Sequence, residues 1–525
     1  MKTVRVLGYA INGRGMGHLT RQLAILRWVR RLAQTAGVKA ECWILTSSEA
    51  DTLARREGIP SIKIPSKSSM RDAGLEPARY LAVARAWVLQ AVATLQPDVL
   101  VVDTFPAGSF GELAAALELV RRRVLVRRAM KPEAAKEAAF DALLPLYDRV
   151  IVPDEAASPI LLRERPELQS RASARSALGV PDGRRVCWVA LGGGGDPSTA
   201  TVLPRVVDLV RAAGWHVVVA AGPLYVGPER RGEGVTWLDR YASMELLPAA
   251  DAAVSAGGYN SVHELRFVGI PTVFLPQEKL ADDQGARALA AALGPVARRL
   301  EDVPGLLAAL APVAPAGTNG ARAAAAAVLS LALDPADVAA ALARWDDDTL
   351  AALQGADIDD ERAMGLLRLF GAEPPSATSR RRAVLADLRD RGVDVPDIRS
   401  QPGASVPRFV ALCRASGVSV TQAMPVAEAL ARRFPAAGPA DVLAACVTLF
   451  PVFAPWQDWM GVLSLLRALP TQREYALSAF SSEFSRWLGD AEDPYAALKR
   501  LHGLEGGGAR PLAEVMRMRG SVVEG

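Results

Sequence analysis

The stretch AAVSAGGYNSVHELRFVGIPTVFLPQEKLADDQ, residues 252–284, decides the fold. A short apolar run ends at Val254 and is followed by Ser255, Ala256, Gly257 and Gly258. Val262, Leu265 and Val268 then recur at the drift of a helix face. The reading is strand, glycine turn, helix. Gly269 and Pro271 stop that helix, and Thr272–Leu275 is a second buried-looking strand closed by Pro276 and a polar loop. Ligands of parallel α/β sheets bind where strands end and helices begin, so residues 257–264 and 276–284 are expected side by side at one edge.

The same pattern opens the chain. Val4–Ile11 is strand-like, Asn12-Gly-Arg-Gly-Met-Gly-His18 follows it, and from Leu19 a helix carries Leu23, Leu26, Val29 and Leu32 on one stripe. The spacing Gly13-x-Gly15-x-Gly17 is not the dinucleotide GxGxxG, and the next strand, Cys42–Leu45, ends in Thr46 and Ser47 rather than in an acidic residue for a ribose. Both features argue against NAD or FAD. The strand Val99–Val102 ends at Asp103, on the edge that carries His18; Asp103 reads either as a functional group or as a turn cap. Arg121, Arg122, Arg123, Arg127, Arg128 and Lys131 flank the strand Val124–Val126, as a solvated face or one turned to an anionic substrate or lipid headgroups. Val150–Val152 closes this half.

Residues 163–182, with mixed charge, Pro and Gly, read as a linker. Beyond it Val186–Leu191 runs into Gly192-Gly-Gly-Gly195-Asp196, with a helix from Thr199. Four glycines let backbone N–H groups approach a phosphate, aided by the helix dipole; the alternative is a tight turn between strand and helix. His216–Ala221 and Val235–Trp237 are further strands. Tyr241–Leu247, Ala286–Leu293 and Ala321–Leu333 are expected helices, the last closing the core of this half. Two βα-repeating halves predict an α/β fold of two Rossmann-like domains, 1–165 and 166–333, facing across a cleft. From residue 334 to 525 the patterns become helical, giving an all-α C-terminal region. Its acidic groups, Asp346-Asp-Asp348 and Asp357-x-Asp359-Asp360, lack the EF-hand Gly and Glu and read as helix caps or interhelix loops. Trp456, Trp459 and Trp487 read as core or interface, and the tail after Gly503 as frayed.

Composition sets the outer bounds. A chain of 525 residues exceeds one core, and 50% hydrophobic with 22% charged residues is ordinary for a soluble globular protein. No apolar run reaches the length of a membrane span, and Lys2 and Arg5 lie in a strand rather than before a signal-peptide core, so a cytoplasmic protein is expected. Cys42, Cys187, Cys413 and Cys446 are scattered and read as reduced core residues. The net charge of +4 conceals a basic excess in residues 1–165 and a net acidic region after 334. The arginines are not interleaved with aromatics, which argues against nucleic acid.

The segment SAGGYNSVHELRFVGIPTVFLPQEKLADDQ resembles, without gaps, the donor-binding segment of MurG-like glycosyltransferases, GT-B enzymes that move a sugar from a UDP donor. GRGMGHLTR, residues 13–21, resembles their N-terminal glycine loop with its histidine. The resemblance covers residues 1–333 and says nothing of the helical region. It implies that Glu264 holds the ribose hydroxyls, since a carboxylate accepts two O–H bonds, and that Asp283 and Gln284 contact the donor sugar. The family's lipid-intermediate member has two glutamines there, so the sugar is left open. Ser255, Gly257, Gly258, Tyr259, Asn260 and Ser261, with Gly192, Gly193, Gly194 and Gly195, are implied at the donor diphosphate, and Gly13, Gly15 and Gly17 at the acceptor or diphosphate.

His18 is then a general base or a diphosphate ligand, with Asp103 the other base candidate. An inverting transfer with no cofactor and no metal is expected, helix N-termini carrying the leaving-group charge. The basic first domain suggests an anionic, lipid-linked or cell-surface acceptor, reached at the inner face of the membrane. A UDP-sugar 2-epimerase shares the fold and is one rival; a non-catalytic nucleotide-sugar sensor, with the helical region as output or scaffold, is the other. Oligomeric state is not legible.

Overall fold

A computed structural model describes residues 2–11, 13, 15–128, 140–153, 157–238, 244–277, 283–356, 358–370, 405–435, 437–453 and 463. The chain divides into two compact units, 1–339 and 340–525.

The first unit holds two all-parallel sheets. Strands β1 (Thr3–Ala10), β2 (Lys39–Thr46), β3 (Ser61–Lys63), β4 (Val99–Asp103), β5 (Arg122–Val126) and β6 (Arg149–Ile151) form one sheet, in the order β3-β2-β1-β4-β5-β6. Its central strand β4 is buried at every residue, which is why it reads as an unbroken apolar run rather than an alternation. Helices α1 (Gly17–Thr35), α2 (Thr52–Arg56), α3 (Lys67–Asp72), α4 (Pro77–Leu95) and α5 (Ala114–Leu117) are set among these strands. After α6 (Arg171–Ala177) come β7 (Val186–Ala190), α7 (Thr199–Ala212), β8 (His216–Val219), β9 (Val235–Trp237), β10 (Ala252–Ser255), α8 (Tyr259–Val268), β11 (Thr272–Phe274), α9 (Gln284–Ala291), α10 (Val303–Ala308) and α11 (Ala321–Leu329). The second sheet has the order β11-β10-β7-β8-β9.

Each sheet reverses its winding once, between β1 and β4 in the first and between β7 and β10 in the second. Such switch points open a crevice at the carboxyl ends of the strands. The loop Gly13–Gly17 follows β1, Asp103 ends β4, the four glycines follow β7, and Gly257-Gly258 follows β10.

Three expectations are corrected. The Ala-rich helix expected over 321–333 ends at Leu329 and packs on α1 of the first domain instead of closing the second. Its small side chains allow close approach, and Arg322 reaches the Glu164 carboxylate at 3.2 Å and lies 5.1 Å from the Trp28 ring. The stretch of mixed charge expected as a linker over 163–182 begins as a buried ionic cluster. Glu167 accepts from Arg27 at 2.9 Å and Arg31 at 2.7 Å, Glu164 accepts from the Trp28 indole at 2.9 Å, and Arg163 forks onto Glu57 at 2.7 and 2.9 Å. Charges that read as solvated in sequence are mutually paired in space. The helix expected at Tyr241–Leu247 is a short 3-10 turn, Met244–Ala249, with Pro248 inside it; residues 239–243 lie outside the described residues.

The chain leaves the first unit within α12 (Pro335–Ala343). The second unit carries α13 (Asp347–Gly355), α14 (Asp360–Leu369), α15 (Ser405–Ala415), α16 (Val420–Arg433) and α17 (Pro439–Phe453). Phe370, Phe409 and Phe450 form its aromatic core, with ring centroids 4.7 and 6.0 Å apart. The acidic groups are caps: Asp346 accepts from the Thr349 amide at 2.7 Å and Asp359 from the Arg362 amide at 2.8 Å. Asp357, Lys131, the three tryptophans and the tail lie outside the described residues. All four cysteines are buried and free, and burial raises the Cys42 and Cys413 thiols to about 12.

Candidate functional site

The two switch points of the first unit line one cavity of ≈ 620 Å³, within the range of about 300–1,000 Å³ usual for small-molecule sites. Gly15, Gly17 and His18 border it on one side; Gly192 to Gly195, Ser255, Gly258 to Ser261, Glu264, Gln277 and Gln284 border it on the other.

On the first side, His18 stands in the opening turn of α1 and Asp103 is the last residue of β4. The His18 Nδ1 lies 2.6 Å from Asp103 Oδ1. Arg21, one turn further along α1, donates from Nε to Oδ2 at 2.8 Å and from an Nη to Oδ1 at 2.6 Å, and the Thr104 hydroxyl donates to Oδ1 at 2.6 Å. Thr104 sits at φ 66, a conformation that is strained for a β-branched residue and that accumulates at functional sites.

Asp103 is 1% exposed. Burial alone would raise its carboxyl, but Arg21 first and His18 second hold it well below the usual carboxylate range. An ionised carboxylate has no proton to give, so Nδ1 of His18 carries the hydrogen and Nε2 keeps its lone pair. Burial also lowers the His18 pKa; Asp103 opposes this, and the cations of Arg21 and Arg128 add to it. The net direction favours the neutral imidazole. Of the two base candidates, His18 is in the cavity, while Asp103 lies behind it with both oxygens occupied by Arg21, His18 and Thr104.

On the second side, Gly258 caps α8 with no side-chain bond, so the opening turn presents N–H groups that have no acceptor within the helix. Gly257 is at φ 81, and a Cβ there would stand 3.0 Å from the Gln284 carbonyl. Ser255 Oγ accepts from the Gly257 amide at 3.3 Å. Tyr259, buried in that turn, has three guanidinium carbons around its ring: Arg21 at 5.0 Å, Arg128 at 5.7 Å and Arg287 at 5.9 Å. Arg21 and Arg128 come from the first sheet's half of the chain, Arg21 fully buried and Arg128 lining the cavity. Glu264 lies one turn further along α8, half-buried, and burial pushes its carboxyl up to about 7, with Glu245 adding to the rise and Arg163 opposing it.

The glycine run has two jobs. Gly194, at φ 80, has the Tyr225 backbone N only 2.4 Å from where a Cβ would stand, so close packing against the loop after β8 demands that glycine. Gly192, at φ 87, meets nothing within 4 Å and faces the cavity. Gln284 also lines the cavity; its Oε1 accepts from the Gln277 amide at 2.9 Å, and the Gln277 side chain donates to Thr199 Oγ1 at 3.0 Å. Asp283 does not line it. It is exposed and caps α9, accepting from the Ala286 amide at 2.9 Å. Gly13 also stands back, its carbonyl accepting from the Glu49 amide at 3.1 Å.

Sequence reasoning missed Arg21 and Gln277, and named Arg128 only within a run read as a solvated face or one turned to an anionic substrate. Arg21 was legible in principle, because it falls three residues after His18 on the same helix face. Arg128 belonged to a run that reads equally well as surface, and indeed Arg122 and Arg123 pair with Asp148. Among the described residues there is no group of three or more side chains able to hold a metal ion.

No family model matches the chain. Over 282 residues, 50% of this chain and 73% of the relative, it is 28% identical to the UDP-N-acetylglucosamine--N-acetylmuramyl-(pentapeptide) pyrophosphoryl-undecaprenol N-acetylglucosamine transferase of Nocardia farcinica (strain IFM 10152). Among solved structures, the glycotransferase of kitacinnamycin is 19% identical, with a TM-score of 0.40 over 70% of this chain and 99% of that one. MurG of Acinetobacter baumannii is 17% identical, with a TM-score of 0.36 over 58% of this chain and 90% of that one.

Proposed function

We propose that this chain, a MurG-like glycosyltransferase of GT-B type, moves a sugar from a UDP-sugar to an acceptor hydroxyl with inversion, His18 acting as the general base. One observation carries the reading: an imidazole held by the Asp103 carboxylate opens into the same cavity as the opening turn of α8 and Glu264.

In this reading Glu264 accepts from the two ribose hydroxyls. The diphosphate rests on the opening turn of α8 and the turn at Gly192 and Gly193, where helix dipoles and close backbone N–H groups favour an anion. Arg128, reaching over Tyr259 from the other domain, adds positive charge where the leaving phosphate gains negative charge. The acceptor hydroxyl enters from the His18 side. Its oxygen forms the new bond to the anomeric carbon as the bond from that carbon to the phosphate oxygen breaks, the electron pair leaving with UDP and the hydroxyl proton passing to His18 Nε2. In this reading Gln284, which lines the cavity, is the donor-sugar contact favoured from the predicted pair, while Asp283 caps α9 through one carboxylate oxygen.

The acceptor is proposed to be lipid-linked. The Nocardia relative is named for a pyrophosphoryl-undecaprenol substrate, and the cavity on the His18 side continues to Thr20, Ser68 and Arg71, a polar and basic wall suited to an anionic acceptor. Among the described residues no helix is long and apolar enough to cross a membrane. A thermal-shift screen against UDP-, GDP- and dTDP-sugars tests the donor: UDP-sugars should raise the melting temperature, and a response to GDP-sugars alone would defeat the assignment. Incubation with a responding UDP-sugar and no acceptor should leave its sugar unepimerised.

A further inference from the structure

We infer that Arg21 is a positioning residue of the transfer reaction, locking the Asp103 carboxylate from behind so that His18 Nε2 is aimed into the cavity, and tying that pair to the opening turn of α8. The inference rests on His18 being the base. Arg21 touches neither donor nor acceptor in this reading; it acts through Asp103.

The geometry has three parts. First, Arg21 grips both carboxylate oxygens, at 2.8 and 2.6 Å. A planar fork of this kind fixes the rotation of the carboxylate as well as its place, which a point charge such as Lys does not. Secondly, Oδ1 is where Arg21, His18 and Thr104 converge, each at 2.6 Å. Rotation of the carboxylate therefore swings the imidazole. Thirdly, the same guanidinium lies 5.0 Å from the Tyr259 ring, within cation–π range. Tyr259 is the first residue of α8, so one fully buried cation joins the base to the helix that carries the donor diphosphate.

The charges facing His18 are Asp103, Arg21 and Arg128. Asp103 favours the imidazolium, and the two arginines oppose it. Removal of Arg21 takes away one opposing cation while Asp103 stays, so His18 should hold a proton to higher pH and the acid limb of kcat should move upward. An arginine serving the fold alone would leave both in place.

The test is the 15N titration of the His18 imidazole in the free protein, with kcat and KM measured on the same preparations, for Arg21→Met and Arg21→Lys. Arg21→Met should raise the His18 midpoint, shift the acid limb upward and lower kcat about tenfold to a hundredfold, with KM for the donor within about twofold. Arg21→Lys keeps the cation, so its midpoint should move less, while kcat still falls because the fork is lost. Should Arg21→Met fail to fold, Arg21→Lys still decides the matter: unchanged kcat per folded molecule with an unshifted His18 would overturn the inference. The titration needs no turnover. A wild-type protein that transfers no sugar would defeat the proposed function and leave the His18 measurement standing as the separate test of Arg21.

Discussion

At the residue scale, the proposed ribose contact at Glu264 predicts donor binding that depends on pH in the physiological range. Burial raises its carboxyl to about 7, and the ionised form is the stronger acceptor for two ribose O–H bonds. In the free protein that form is lost as pH falls through about 7, so affinity for UDP should weaken from pH 8 to pH 6, by at most about tenfold per unit below the midpoint. Glu264→Gln should bind more weakly and lose that slope in calorimetric titrations, whereas a slope surviving the substitution would point to another group. His18 and Asp103 were both legible as residues at strand-end edges. Their direct bond was not, because 85 residues separate them and only the strand order β1-β4 makes them neighbours. The capping of α9 by Asp283 is local, an oxygen accepting from the amide three residues on, but a matched motif position does not say which way a short carboxylate turns.

At the scale of elements, the glycine run separates backbone packing from ligand approach. A Cβ at Gly192 meets only the cost of an L-residue at positive φ, about 1–2 kcal/mol, whereas one at Gly194 must also displace the Tyr225 backbone. Gly194→Ala should therefore lower the urea midpoint well beyond Gly192→Ala; equal losses would mean that the loop after β8 yields freely. Strands and helices were readable here because βα units announce themselves through apolar runs, glycine turns and helix stops: α8 and β10 stand within a residue of their expected bounds. What failed was the reading of charge. Arg163, Glu164 and Glu167 look like a linker of mixed charge until Arg27, Arg31 and Arg322 are seen to pair with the two glutamates and Glu57 with Arg163, and those partners come from elements up to 158 residues away.

At the scale of the molecule, two sheets, each with one winding reversal, bring the loops after β1, β7 and β10 around one cavity, with Asp103 at the end of β4 behind His18. Chemistry needing both an oriented base and an anion-binding helix terminus is built from parts that neither half holds alone. Alternating βα patterns revealed this architecture, since each half repeats the same unit. The return of α11 to α1 escaped notice because an Ala-rich helix carries no mark of the surface it covers. The helical second unit, with its own aromatic core, is legible as a separate body but carries no motif for a ligand.

The central claim is that the α8 side of the cavity holds the nucleotide and the His18 side performs the transfer. Calorimetric titration of UDP into the wild-type protein, Glu264→Ala and His18→Ala tests it most directly. Wild type and His18→Ala should bind UDP within about twofold of each other, while Glu264→Ala should lose at least about tenfold, as expected for removing a charged hydrogen-bond acceptor. Equal UDP affinity in Glu264→Ala and wild type, or a loss of affinity confined to His18→Ala, would contradict the account.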